Sequence, residues 1–214
     1  MIRDNRIFLG MSGDERVELE VRMANRHGLI AGATGTGKTV SLKVLAESFS
    51  DAGVPVFMAD VKGDLAGMHE AGTDKESVRA KIDRYNLEEQ GFCYKSYPVN
   101  FWDVYAEGGM PLRTTVSEMG PLLLARILGL SETQTSVLTV VFKIADDNDL
   151  LLVDTKDLKA LLAYVQENAS DFAMEYGNMS KQSMAVIVRA VVALESQGGD
   201  RFFAEPALAV SDWL

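Results

Sequence analysis

The chain has 214 residues, 47% of them hydrophobic, with 21 Lys and Arg against 31 Asp and Glu and a formal charge of −10. That length and composition permit a sizeable buried core, and no run of about eighteen apolar residues is present to span a membrane. The acidic balance argues against a face that grips nucleic acid unaided, because neutralisation of phosphates by Lys and Arg supplies most non-specific affinity.

Residues 1–6 lead into a strand-like patch and lack the apolar core and cleavage site of a secretory leader. Residues 7–10 and 17–21 read as two strands around the turn Ser12-Gly13-Asp14; the second alternates apolar and acidic positions as a half-exposed strand does. Residues 27–31 form a short apolar run suited to a buried strand. Residues 40–49 then repeat apolar side chains at helical spacing, and Gly53 marks the stop. Residues 54–59 predict the next buried strand, closing a β-loop-α-β unit of the kind that is almost always right-handed and parallel. A helix over 75–89 and a strand region over 91–102 follow. Beyond Asp103 the pattern is mostly helical: 122–128 ending at Gly129, a helix opened by Ser131-Glu132-Thr133-Gln134 and running to Ile144, then helices near 157–168 and 180–195. The chain is thus expected to be α/β, with an α/β part over 1–104, a mainly α-helical subdomain over 105–198, and a return to the first part beginning at 199–214.

Between the first predicted buried strand and the helix after it lies Gly32-Ala33-Thr34-Gly35-Thr36-Gly37-Lys38-Thr39, a full match to the phosphate-binding pattern G-x-x-x-x-G-K-[ST]. Glycines let the backbone curl so that successive N–H groups face phosphate oxygens. Lys38 supplies a point charge at the β- and γ-phosphates, and the Thr39 hydroxyl suits a magnesium ion. The helix that follows, beginning near Val40, sets the positive end of its dipole under the phosphates. A Gly/Thr turn with a coincidental lysine is the alternative, and the flanking strand and helix count against it.

A hydrolase of this kind also needs an acidic residue at a strand end to hold the metal, and commonly an adjacent Glu to position water. Residues 56–59 followed by Asp60 fit the first requirement. Asp60-Val61-Lys62-Gly63 even spells the D-x-x-G of GTPases, but no Asn-Lys-x-Asp guanine-reading motif occurs. Asp60 and Asp64 are candidates for metal-bound water or the γ-phosphate, against a helix-side hydrogen bond at a strand end for Asp60 and a capping role for Asp64. Residues 150–153 followed by Asp154 also fit, but Asp154 or Thr155 reads better as the N-cap of the next helix. No strand-terminal Asp-Glu pair exists in the chain. Arg79, Lys81 and Arg84, the densest basic group, alternate with acids and read as a solvated helix face. Cys93 reads as a buried thiol compatible with a reducing cytoplasm, and with His27 and His69 as the only histidines a zinc site is not expected.

Residues 25–32 running into the phosphate loop, followed by Asp60-Val61-Lys62-Gly63-Asp64-Leu65, resemble the bacterial HerA-like helicase/ATPase family, within the HerA–FtsK group of P-loop motors. The segments 100–104, 111–123, 128–134 and 202–208 carry the same resemblance, so it covers nearly the whole chain. It implies a RecA-like P-loop core with a mostly parallel sheet, ATP and Mg2+ as cofactors, and hexamers around duplex DNA in related motors. It also implies that this chain is the N-terminal portion of such a protein, with the acidic metal-and-water motif and the arginine finger elsewhere. Within that resemblance residues 32–40 would bind the nucleotide, Thr39 and Asp60 the metal, and Lys38 and Asp64 would act in catalysis. Two alternatives stand beside it: a module that clamps ATP without turnover, and a small phosphotransferase. The latter would need arginines poised over the phosphates, whereas Arg113, Arg126 and Arg189 are widely spaced.

Overall fold

The computed structural model describes residues 1–209 and 211. The chain divides into two compact units, one over Met1–Asn100 and one from Phe101 onward.

In the first unit, β1 (Ile2–Arg3), β2 (Arg6–Ser12) and β3 (Glu15–Glu20) form an antiparallel sheet in the order β1-β2-β3. The β2–β3 hairpin turns at the expected place, pairing Ser12 with Glu15 and Arg6 with Glu20. Ile7 and Phe8 of β2 are buried. Arg16 on the same strand and Arg6 from across the hairpin bond the Glu18 carboxylate and hold it below the usual carboxylate range, Arg16 contributing most. Helix α1 (Lys38–Asp51) follows the glycine-rich loop over residues 32–37, and α2 (Glu76–Arg84) covers the core of the longer helix expected there. On α2, Arg79 of the basic group is neutralised locally, tied to Asp74 at 2.9 Å and to Glu88 at 2.8 Å.

The expected parallel sheet is not formed among the described residues: 27–31, 54–59 and 91–101 belong to no ladder. Leu29 is 90% exposed and Phe57 65%. A parallel sheet is stable only when helices cover both faces. Here α1 buries only Ala46 and Ser48, and α2 only Ile82, so neither helix lays an apolar face over those runs. Cys93 is exposed, contrary to the sequence reading. The extended stretch alternates, placing Phe92 and Tyr94 edge to face at 5.2 Å on one side and Cys93 on the other.

The second unit opens with β4 (Trp102–Asp103) and β5 (Met110–Pro111), paired in parallel. The intervening loop wraps around one carboxylate: Asp103 accepts from the N–H groups of Tyr105 (2.8 Å), Glu107 (2.8 Å) and Gly108 (2.9 Å). These bonds, Gly108 first, hold its carboxyl at about 2. A folded value below the unfolded one of about 3.9 stabilises the loop above pH 4, and the contribution is lost as pH falls from about 4 to about 2. Protection of the Glu107 and Gly108 amides, relative to their intrinsic exchange rates at each pH, is therefore expected to fall over that window. Asp103→Asn should show the lowered protection already at pH 7; full protection in that variant would contradict the assignment.

Helices α3 (Val116–Ile127), α4 (Glu132–Asp147), α5 (Thr155–Glu167), α6 (Ala169–Tyr176), α7 (Lys181–Glu195) and the short α8 (Gly199–Phe202) build the rest. Four of these starts are chemically marked. Thr115 caps α3, Ser131 and Gln134 form a capping box on α4, Asp154 and Asp157 do so on α5, and Ser180 caps α7. Asp154 is thus a cap, as its context suggested. Gly120 (φ 71°) and Pro121 kink α3, the glycine supplying the left-handed backbone and the proline dispensing with an N–H. One core gathers Leu124, Leu138, Val141, Leu158, Leu162 and Ile187 among others, at the i, i+3, i+4 spacing that defines a buried stripe. A polar clip ties α5 to α7: Glu195 accepts from the Thr155 hydroxyl at 2.6 Å and from Lys159 at 2.8 Å. Phe203 closes the core and bridges Thr114 in parallel. Of the return segment expected over 199–214, residues 210 and 212–214 lie outside the described residues. No helix among the described residues is long and apolar enough to cross a membrane.

Candidate functional site

The loop over residues 32–37 and the first turn of α1 form the site singled out by its motif. Gly35 (φ 82°) and Gly37 (φ 97°) are left-handed, a conformation that a side chain would strain, and Gly37 sits at the N-cap of α1. Unlike α3, α4, α5 and α7, α1 has no side-chain cap. An α-helix leaves its first N–H groups without intrahelical partners, and the first intrahelical bond here is Ser41 N–H to the Gly37 carbonyl at 3.0 Å. The N–H groups of Lys38, Thr39 and Val40 therefore face outward at the positive end of the helix dipole. This is a cradle for an anion.

Lys38 folds back over the loop. Its Nζ donates to the Gly32 and Ala33 carbonyls, each at 2.7 Å. Thr36 closes the turn beneath it, donating its hydroxyl to Ala33 at 2.8 Å. Residues 31–36 are exposed and 37–39 half-buried, so the ammonium and the Thr39 hydroxyl are both within reach of solvent. The motif residues Gly32, Ala33, Thr34, Gly35, Thr36, Gly37, Lys38, Thr39 and Val40 are thus brought together in one loop-and-turn unit.

Asp60 lies in a different setting. Its two carboxylate oxygens accept from the N–H of Asp64 at 3.1 Å and of Leu65 at 2.8 Å, closing the loop 60–65 on itself. Leu65, then Asp64, Gly63 and Lys62, hold its carboxyl below the usual range, so it is ionised at neutral pH. Each oxygen keeps a lone pair beyond these bonds. The Asp64 side chain caps nothing: the 3₁₀ turn Ala66–His69 has Leu65 at its N-cap and no side-chain cap bond. An Asp followed by Gly-Asp three and four residues on is the pattern of such a self-closed turn, and it is the sequence signal for the Asp60 geometry. Among the described residues no cluster of three or more His, Cys, Asp or Glu side chains is arranged to hold a metal. The donor set expected here is smaller, a Thr hydroxyl with one carboxylate.

The residues of the loop fit a nucleotide phosphate on two observations. A methyl group added at Gly32 would meet the Thr36 hydroxyl at 2.5 Å, so a side chain there would have to displace that hydroxyl from the turn. The cradle, in turn, presents donors and a cation, with no acidic side chain among residues 32–43 to repel an anion.

Two comparisons returned nothing: no curated protein and no solved structure matches this chain. A family model described as Helicase HerA-like C-terminal matches residues 6–214. That description names a C-terminal part and lends no support to the N-terminal placement implied by the resemblance. The match spans the phosphate loop, the Asp60 loop and the whole helical unit, and the chain belongs to the HerA-like helicase family.

Proposed function

We propose that residues 32–40 bind the phosphates of ATP with Mg2+, and that this serves a DNA helicase or translocase. The observation that carries the reading is the uncapped start of α1, preceded by the left-handed Gly35 and Gly37 and overlaid by Lys38. The amides of Gly35, Gly37 and Lys38 would hold the β- and γ-phosphates, and Lys38 would exchange its two carbonyl partners for phosphate oxygens. Thr39 would hold the metal through its hydroxyl, with Asp60 reaching it through a metal-bound water. Magnesium held there would offset charge that develops on the phosphates during transfer. Asp64, with its carboxylate uncommitted to the loop, is the candidate for positioning the attacking water. A RecA-like parallel sheet, which residues 27–31 and 54–59 do not form in this structure, rests on their apolar pattern and the family alone. Action on duplex DNA as a homo-oligomeric ring, and a cytoplasmic setting, rest on the family alone.

A second reading keeps the binding and drops the turnover. It is favoured by Asp60, whose carboxylate is already engaged by two loop amides, and by the lack of an Asp-Glu pair closing an apolar strand-like run. Phosphate release with Mg-ATP, measured with and without duplex DNA, separates the two. Release that rises with DNA supports the motor, and saturable ATP binding with no release supports the clamp. Absence of ATP binding overturns both.

A further inference from the structure

We propose that Thr36 is a positioning residue of the phosphate loop, and that it forms one coupled pair with Gly32. This rests on the reading of the loop as the ATP phosphate site.

Three donors converge on the Ala33 carbonyl: the Thr36 hydroxyl at 2.8 Å, the Lys38 ammonium at 2.7 Å and the Thr36 N–H at 3.4 Å. A carbonyl oxygen has two lone pairs, so this acceptor is crowded while Lys38 rests on it. When Lys38 leaves for a phosphate, the Thr36 hydroxyl keeps Ala33 satisfied. The turn over 33–36 then holds its curvature while the lysine changes partners. Without that hydroxyl, release of Lys38 would leave the carbonyl with only the long Thr36 N–H contact, and the loop would loosen as the ligand arrives.

The same hydroxyl explains Gly32. Gly35 and Gly37 are glycines for their backbone angles, and a Cβ at either would meet open space. Gly32 has no left-handed φ. Its Cβ would instead lie 2.5 Å from Thr36 Oγ1, while Thr36 Cβ at 3.5 Å and Lys38 Cγ at 3.7 Å are ordinary contacts. The hydroxyl is therefore the single atom that forbids a side chain at position 32. Removing it makes room for one.

The test is a double-mutant cycle on the full chain, read by Mg-ATP affinity and, without nucleotide, by amide exchange over residues 33–38. Thr36→Ala and Thr36→Val are each expected to weaken affinity about fivefold, the scale of one neutral hydrogen bond. Thr36→Ser should stay within about twofold, since it restores the donor. Gly32→Ala alone should cost about tenfold or more, and adding Thr36→Ala to it should bring the loss back to about the fivefold of Thr36→Ala alone. Exchange should follow the same order. Additive effects in the cycle, or Val matching wild type, would overturn the coupling. Unchanged affinity on Lys38→Ala would instead remove the phosphate-site reading, with the nucleotide-free exchange cycle still deciding whether Thr36 and Gly32 act together.

Discussion

Lys38→Ala is expected to weaken Mg-ATP binding by about 100-fold, or about 2.7 kcal/mol. Hydrogen bonds to a charged group contribute about 1.5–3 kcal/mol each, and Lys38 is placed to make more than one to the phosphates. The gain is partial, because the ammonium first gives up Gly32 and Ala33, each held at 2.7 Å. That exchange of one set of oxygens for another keeps the figure near two orders of magnitude. Lys38→Arg should fall between the two, since a planar fork cannot reproduce a point contact inside a tight loop. Calorimetric titration of the three proteins with Mg-ATP reads the series directly. A loss below about threefold on Lys38→Ala would mean that the ammonium stays on the loop carbonyls when nucleotide binds.

Phe203→Ala carries the largest expected loss of stability. The ring is 1% exposed, lies edge to face against Phe202 at 5.1 Å, and follows the short α8 where the chain bridges Thr114. Truncation removes a buried aromatic and leaves a cavity, at a cost of about 3–5 kcal/mol. For a unit of this size the thermal midpoint should fall by more than about 10 °C. Phe203→Leu, which retains most of the volume, should lose less than half as much. Near-UV and far-UV melts of both variants check this, and a midpoint within about 2 °C of wild type for Phe203→Ala would contradict the packing.

Much of the helical unit is legible in the sequence because its signals are local. Ser131 with Gln134 marks the start of α4, Asp154 with the Leu158-Leu161-Leu162-Val165 stripe marks α5, and Gly129 closes α3. Helix α6 escapes a reading of the sequence because residues 169–176 carry no side-chain cap and bury no residue fully, so they show neither start nor stripe. The N-terminal hairpin is legible from its turn. The parallel sheet expected for residues 27–31 and 54–59 depends on long-range pairing, which no local pattern records. Those runs lie unladdered, with Leu29 and Phe57 exposed.

The site divides in the same way. The G-x-x-x-x-G-K-T spacing locates the loop, and the left-handed Gly35 and Gly37 follow from it. The carbonyls that hold Lys38, the hydroxyl that closes the turn at Ala33 and the two amides that occupy Asp60 depend on the path of the backbone. Residue types alone do not specify that path. Asp60 shows the consequence: its place after an apolar run suggests a metal ligand, while its bonds show a carboxylate that also closes its own loop.

The central claim is that the start of α1 is the nucleotide-phosphate site. Titration of isotopically labelled protein with Mg-ATP, followed through the backbone amide resonances, tests it most directly. Saturable shifts centred on Gly35, Gly37, Lys38, Thr39 and Val40 are the predicted result, and they should disappear in Lys38→Ala at the same nucleotide concentration. Saturable shifts that leave these amides unmoved, or no saturable shift at millimolar nucleotide, would contradict it.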